Sequence, residues 1–193
     1  MFSLRQPSEH AMRAFLADQS AEPFSYSDIG MSQEDSVPSQ YAVDRYRVQV
    51  GRGKEVFERA VEGVRTWKVY PSAWMTLYPP NVPVREGVSV GILAHLPFIW
   101  VKSAVRVVYV VEEKRRYCFA LGTLPKHVES GEERFLVEWL SDDSVWYEVF
   151  AVSKPQHPLA RLGHPFARLV QKRFGRDSKE AVKQFVQTHA ERA

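Results

Sequence analysis

A chain of 193 residues with 45% hydrophobic side chains has material for one substantial core and too little for two, which excludes a multidomain assembly and a disordered chain. Its 26 basic and 23 acidic residues leave a formal charge of +3, an excess too small to mark a nucleic-acid binder. Cys118 is the lone cysteine and excludes an internal disulfide, no apolar run approaches the ~18 residues of a membrane span, and Arg5, Glu9, His10 and Arg13 interrupt any signal-like core at the N-terminus, so a cytoplasmic protein is expected.

Pro7 and Ser8 precede Ala11, Met12, Phe15 and Leu16, whose spacing predicts a short amphipathic helix from about Ser8 to Gln19. The following residues, Ser20 to Gln40, are rich in Ser, Asp, Gln and Pro, with Phe24, Tyr26 and Ile29 as anchors, and read as an extended segment. Those three anchors would either cap a cavity or cover a sheet edge. Tyr41 to Val50, with Val43, Val48 and Val50 between polar residues, predicts a first strand. Past Gly51-Arg52-Gly53 the period changes to that of a helix through Phe57, Ala60, Val61, Val64 and Trp67. A strand, a Gly-x-Gly turn and a helix resemble a dinucleotide site, but Val56 replaces the third glycine and no second βαβ unit follows.

From Trp74 the pattern is strand after strand: Trp74 to Tyr78, Val88 to Leu96, Val105 to Glu112, Tyr117 to Leu124, Arg134 to Leu140 and Val145 to Ser153. Short connections favour an antiparallel meander over parallel crossovers. In the last segment Leu162, Phe166, Leu169, Val170, Phe174, Ala181, Val182, Phe185 and Val186 recur in phase past Gly175 and Asp177, which predicts one long helix. His157-Pro158 and His164-Pro165 read as its boundary residues. The fold expected is α+β: residues 41–193 as a helix-grip domain, a curved antiparallel sheet of about six to seven strands around a C-terminal helix, with residues 1–40 packed on it as a helical appendage.

That element order resembles the START-like (SRPBCC) superfamily over about residues 41–190. Phe24-Ser25-Tyr26 with Ile29-Gly30, the strand Arg106-Val107-Val108-Tyr109-Val110, Gly122-Thr123-Leu124 followed by His127, Glu129, Gly131, Glu132 and Glu133, and the ending Gln171, Phe174, Asp177, Ser178 are similar, more closely, to an uncharacterised family of small bacterial and plant proteins that carries a domain-of-unknown-function label. The resemblance implies a cavity between sheet and helix but no reaction.

The segment Gly122 to Trp139 concentrates Thr123, His127, Glu129, Glu132 and Glu133 between two alternating runs. An imidazole and carboxylates at a bend suit a metal, a polar ligand, acid/base chemistry or simply a hydrogen-bonded hairpin, yet neither His-Glu-x-x-His nor a cysteine pair accompanies them. Alternation orders them: if Phe135, Val137 and Trp139 face inward, Glu133 does too, beside Thr123 on the face of Tyr117, Phe119 and Leu121, while Arg134 and Glu138 face solvent and Glu129 and Glu132 stay in the bend. Arg106, inside an apolar strand, would need a carboxylate if buried, with Glu148 the candidate, or else lies on the solvent face. No Gly-x-Ser-x-Gly elbow is present, and Cys118 reads as a small core residue.

The function expected is binding of a small hydrophobic or amphipathic molecule, without cofactor or metal, by a carrier or sensor. Trp74, Tyr109, Tyr117, Phe119, Phe135, Trp139, Tyr147, Phe166, Val170 and Phe174 would line the cavity, with Arg106, Thr123, His127 and Glu133 orienting the ligand. The alternatives are a cyclase- or hydratase-like enzyme using His127 or Glu133 as acid or base, and an interaction protein whose cavity its own side chains fill. Arg161, Arg168, Lys172, Arg176 and Lys179 on the last helix form a solvated basic face, available for weak contact with an anionic surface.

Overall fold

Alternation from Met75 onward builds six consecutive antiparallel strands, and an earlier strand returns to pair with the last of them. The structure, a computed structural model, describes residues 1–33, 37–156 and 164–190, and the side chains of all of these but 164, 165, 189 and 190. His157, Pro158, Arg161 and Leu162 therefore lie outside the described residues, as do the side chains of His164 and Pro165. The strands are β1 (Phe2–Ser3), β2 (Ala42–Arg52), β3 (Met75–Tyr78), β4 (Ser89–Leu96), β5 (Ile99–Glu113), β6 (Arg116–Thr123), β7 (Glu129–Trp139) and β8 (Ser144–Pro155). The helices are α1 (Glu9–Ser20), α2 (Lys54–Arg65) and α3 (His164–Ala190). One sheet runs in the order β2-β8-β7-β6-β5-β4-β3, with β1 paired to the start of β5. This is the helix-grip arrangement, α+β with an antiparallel meander and a long C-terminal helix.

Each helix has a local reason. The Ser8 hydroxyl caps α1 by accepting the Ala11 N–H at 3.2 Å. In α2, Phe57, Ala60, Val61 and Val64 bury one face, and the helix stops where Trp67 turns to a positive φ of 61°. Trp67, expected on the α2 face, thus packs from beyond its end against Phe119 at 5.3 Å between ring centroids. In α3 the buried line is Phe174, Ser178, Val182 and Val186, at steps of four. Leu169 of the expected stripe is largely exposed, and Phe166 half-exposed, where the first turns of α3 run over the cavity. Gly175 lets α3 approach β2, since a Cβ there would fall 2.6 Å from Cε2 of Tyr46. The Tyr147 and Ser178 hydroxyls, 2.8 Å apart, tie α3 to β8.

Helices α2 and α3 cover the inner face of the sheet, where the main core lies. The outer face is covered as well, by α1 and residues 24–33. Phe15 of α1 packs on Ala104 and Leu124, and Tyr26 and Met31 pack on Phe150 and Val152. Gly122 permits this layer: a Cβ on it would stand 2.7 Å from the Phe24 ring. Phe24 and Tyr26 therefore neither cap the cavity nor cover an edge. No described helix is long and apolar enough to cross a membrane.

Two strands differ from expectation in length. β5 starts at Ile99, six residues before the predicted Val105, and β7 starts at Glu129, five before the predicted Arg134. Glu129 and Glu132 accordingly belong to a strand and point to opposite faces.

Candidate functional site

Between the inner face and the first half of α3 lies a cavity of about 420 Å³. Its floor is a row-by-row consequence of strand register. One row reads Asp44 on β2, Ala151 on β8, Glu133 on β7 and Leu121 on β6. The short Ala151 leaves space between the two carboxylates. Further along the floor, on β4 and β5, Ile92, Ala94, Leu96, Val101 and Val105 give an aliphatic surface. Phe166, Val170 and Phe174 of α3 form the roof, and Tyr46, Tyr70 and Trp74 the walls. The cavity is consequently polarised: carboxyl groups at the β2–β8–β7 end, hydrocarbon at the β3–β5 end.

Three ionisable groups at the polar end depart from their ordinary behaviour. Glu133 is held away from bulk water and makes no hydrogen bond among the described residues; burial, and after it the charge of Asp44, pushes its carboxyl up to about 8. Its remaining accessible surface opens into the cavity. Glu129 is raised to about 7, chiefly by burial and also by Asp44, against the lowering effects of Arg168 and Ser153. His127 is lowered to about 4 by burial, so its imidazole is neutral near pH 7. Its Nδ1 lies 3.0 Å from both the backbone nitrogen and the carbonyl oxygen of Glu129, so the backbone occupies that ring nitrogen in either tautomer.

Among the described residues, Arg168 is the cation at this end. Its guanidinium forms a two-pronged pair with Asp44, with Nη2 donating at 2.7 Å and Nη1 to the other oxygen, and Nη1 also donates to Gln171 at 2.8 Å. Arg168 was expected on the solvated basic face; instead it fastens α3 to β2 beside the cavity. Thr123 reaches the cavity, but its hydroxyl is committed to the Gly131 N–H at 2.9 Å and to Ser25 Oγ at 2.6 Å.

Of the residues predicted for the site, the structure brings Trp74, Thr123, His127, Glu133, Phe166, Val170 and Phe174 to the cavity. Tyr117, Phe119, Phe135 and Tyr147 share the inner face but sit in the packed core beside it, without lining the cavity. Trp139 also lies on that face, further along, where it packs against Phe57 with 6.1 Å between ring centroids. Two predictions fail by face. Tyr109 is on the outer side with Cys118 and Leu136, its hydroxyl 2.8 Å from Ser32 Oγ. Arg106 is also outside, donating to the Ser20 and Glu22 carbonyls at 3.0 and 2.9 Å and to Ser89 Oγ at 3.2 Å. Glu148, its expected partner, belongs to Arg134 at 3.1 Å.

Arg134 and Glu132 were expected in solvent and in the bend, and both are buried under the outer layer. Glu132 accepts four hydrogen bonds, from Tyr26 Oη at 2.8 Å, Gly30 N–H at 2.6 Å, Ser32 N–H at 3.0 Å and Ser32 Oγ at 2.6 Å. Arg134 Nη1 donates to the Ser32 carbonyl at 2.7 Å. The polar segment thus divides into a cavity-facing set and a fastening set. No cluster of three or more metal-ligating side chains occurs among the described residues. Asp44, Tyr46, Tyr70 and Ala151 were missed by sequence reasoning. For Asp44 and Tyr46 a signal existed, since they share parity and the inner face with Val48, but the exposed Val43 of the opposite parity obscured it.

The family model DUF1990, a domain of unknown function, matches residues 25–181. A UPF0548 protein of Dictyostelium discoideum is 32% identical over 92% of each chain, and one of Arabidopsis thaliana is 34% identical over 87% of this chain and 85% of its own. Among solved structures, the Zhui aromatase/cyclase from Streptomyces sp. R1128 is similar with a TM-score of 0.55 at 8% identity, covering 78% of this chain and 96% of that one. That likeness concerns the fold.

Proposed function

Because the chain belongs to the DUF1990 family and has the helix-grip fold, we propose that it binds a small amphipathic molecule between its sheet and α3, as a carrier or sensor. The observation that carries this reading is the polarised cavity of about 420 Å³, within the usual size range of small-molecule sites. A protein whose cavity was filled by its own side chains would have no such space. Aliphatic side chains of β4 and β5 supply area for an apolar body, and Glu133 supplies a polar contact that the protein itself does not satisfy.

Native mass spectrometry of the protein purified from its own host is the direct test. The expected result is an added mass that is lost on denaturation and absent from Ala151→Phe, which fills the floor between Asp44 and Glu133. The variant should also lose at least about tenfold in affinity for a hydrophobic fluorescent probe. An empty wild-type protein that binds such a probe no better than the variant would sink the reading.

A second reading is supported by two carboxyls that titrate close to neutrality in one cavity, Glu129 at about 7 and Glu133 at about 8. Groups with those values suit general acid/base chemistry on a bound substrate. His127 suits it less, since its Nδ1 is engaged by backbone.

A further inference from the structure

We propose that the cavity's ligand is a cationic amphiphile: a protonated amine seated against Glu133, with its apolar body lying over β4 and β5. This inference rests on the cavity-binding reading and adds the chemical class of the ligand.

The argument begins with charge pairing. Asp44, Glu129 and Glu133 line the cavity, and Arg168 is the cation that interacts with this set. Both Nη atoms of Arg168 are committed to Asp44. Among the described residues, Glu129 and Glu133 are left without a cation in hydrogen-bond contact. A carboxylate shielded from water needs a counter-charge or a proton, and in the empty cavity a proton is the available solution. A ligand ammonium supplies the other. Among the described residues, an anionic ligand would meet carboxyls and no cation free of a carboxylate partner.

The surroundings of Glu133 favour the same sign. Asp44 and Tyr46 of β2, Glu129 of β7, His127 of the β6–β7 turn and Tyr70 beyond α2 line the same cavity as Glu133, Tyr147 of β8 lies in the core beside it, and Arg168 of α3 is paired to Asp44. Tyr46, Tyr70 and Tyr147 are close enough for the charge of Glu133 to raise their phenols. Tyr46 and Tyr70 also line the cavity, and aromatic rings stabilise a cation that sits over their faces. A neutral donor would gain the hydrogen bond but not this field.

The sign of proton linkage separates the classes. An ammonium binds the ionised Glu133 and displaces its proton, so affinity rises with pH up to about 8. A neutral acceptor binds the protonated form, so its affinity falls over the same range. Three probes with one hydrocarbon chain make the comparison: octylamine, octanol and octanoate, titrated calorimetrically at pH 6, 7 and 8.5. Octylamine keeps its charge throughout, as an alkylammonium titrates near pH 10.

Octylamine should bind at least about tenfold more tightly than octanol at pH 8.5 and gain up to about tenfold per pH unit between pH 6 and 8. Binding at pH 7 should release about one proton, read from heats in buffers of different ionisation enthalpy. Glu133→Gln should abolish the preference and the pH dependence while leaving octanol within about twofold. If that variant does not fold, proton release by the wild type decides alone. Octanol or octanoate binding more tightly than octylamine at pH 8.5, or octylamine binding without proton release, overturns the amine assignment and leaves the cavity reading standing. Failure of all three to displace a hydrophobic probe overturns both.

Discussion

Glu132 and Glu133 are adjacent in sequence and opposite in circumstance. Glu132 accepts four hydrogen bonds under the outer layer; Glu133 has none and faces a cavity. Solvation accounts for the difference, because donors aimed at a carboxylate stabilise its charge and their absence favours the proton. The consequence is a stability profile. Folded Glu133 keeps its proton to about pH 8 and unfolded Glu133 only to about 4.5, so the native state binds more protons and loses stability as pH rises between those values. Glu129 adds the same trend up to about 7. His127 opposes it below 6.5, since its folded value of about 4 makes stability rise from 4 to 6.5. Between about 6 and 8 the Met1 ammonium also opposes it, because burial lowers its folded value from 8.0 to about 6. Without ligand, the wild-type melting temperature should fall relative to that of Glu133→Gln from pH 6.5 to 8; a difference between the two that stays constant across the window would contradict the assignment.

At the scale of elements, the outer layer is fastened at a few points. Residues 24–33 lie on the sheet through Glu132, Arg134 and the close approach over Gly122. Truncating Glu132 to Ala leaves the Gly30 and Ser32 N–H groups and the Tyr26 hydroxyl without their acceptor, a loss of about 2–4 kcal/mol. Urea unfolding should record it, and hydrogen exchange should quicken at Gly30 and Ser32 before it does in β6 or β7. Gly122→Ala should release the same segment by forcing Phe24 outward while leaving inner-face residues in place. A uniform quickening of exchange across the sheet in either variant would show that the layer is not a separate unit.

For the molecule as a whole, the cavity implies linkage between occupancy and stability. A ligand that binds the folded state alone at 100 times its Kd adds about 2.7 kcal/mol, which for a chain of this size raises the melting temperature by about 5–10 °C. Ala151→Phe should lose that increment while keeping its own transition. Strand alternation and the long apolar stripe after Phe166 made the order of elements legible from residues alone, and with it the helix-grip fold. They also placed Glu133 and Thr123 on one face. Tertiary structure decided which face of each strand was covered, and by what. A strand buried on both sides reads as apolar at both parities, so alternation put Arg134 on the outer face but could not show that residues 24–33 bury it there; Tyr109 leaves the face of Val107 through a register irregularity between them. The polarity of the cavity was equally invisible in sequence, because Asp44 and Glu133 are 89 positions apart and meet through a register that local spacing does not encode.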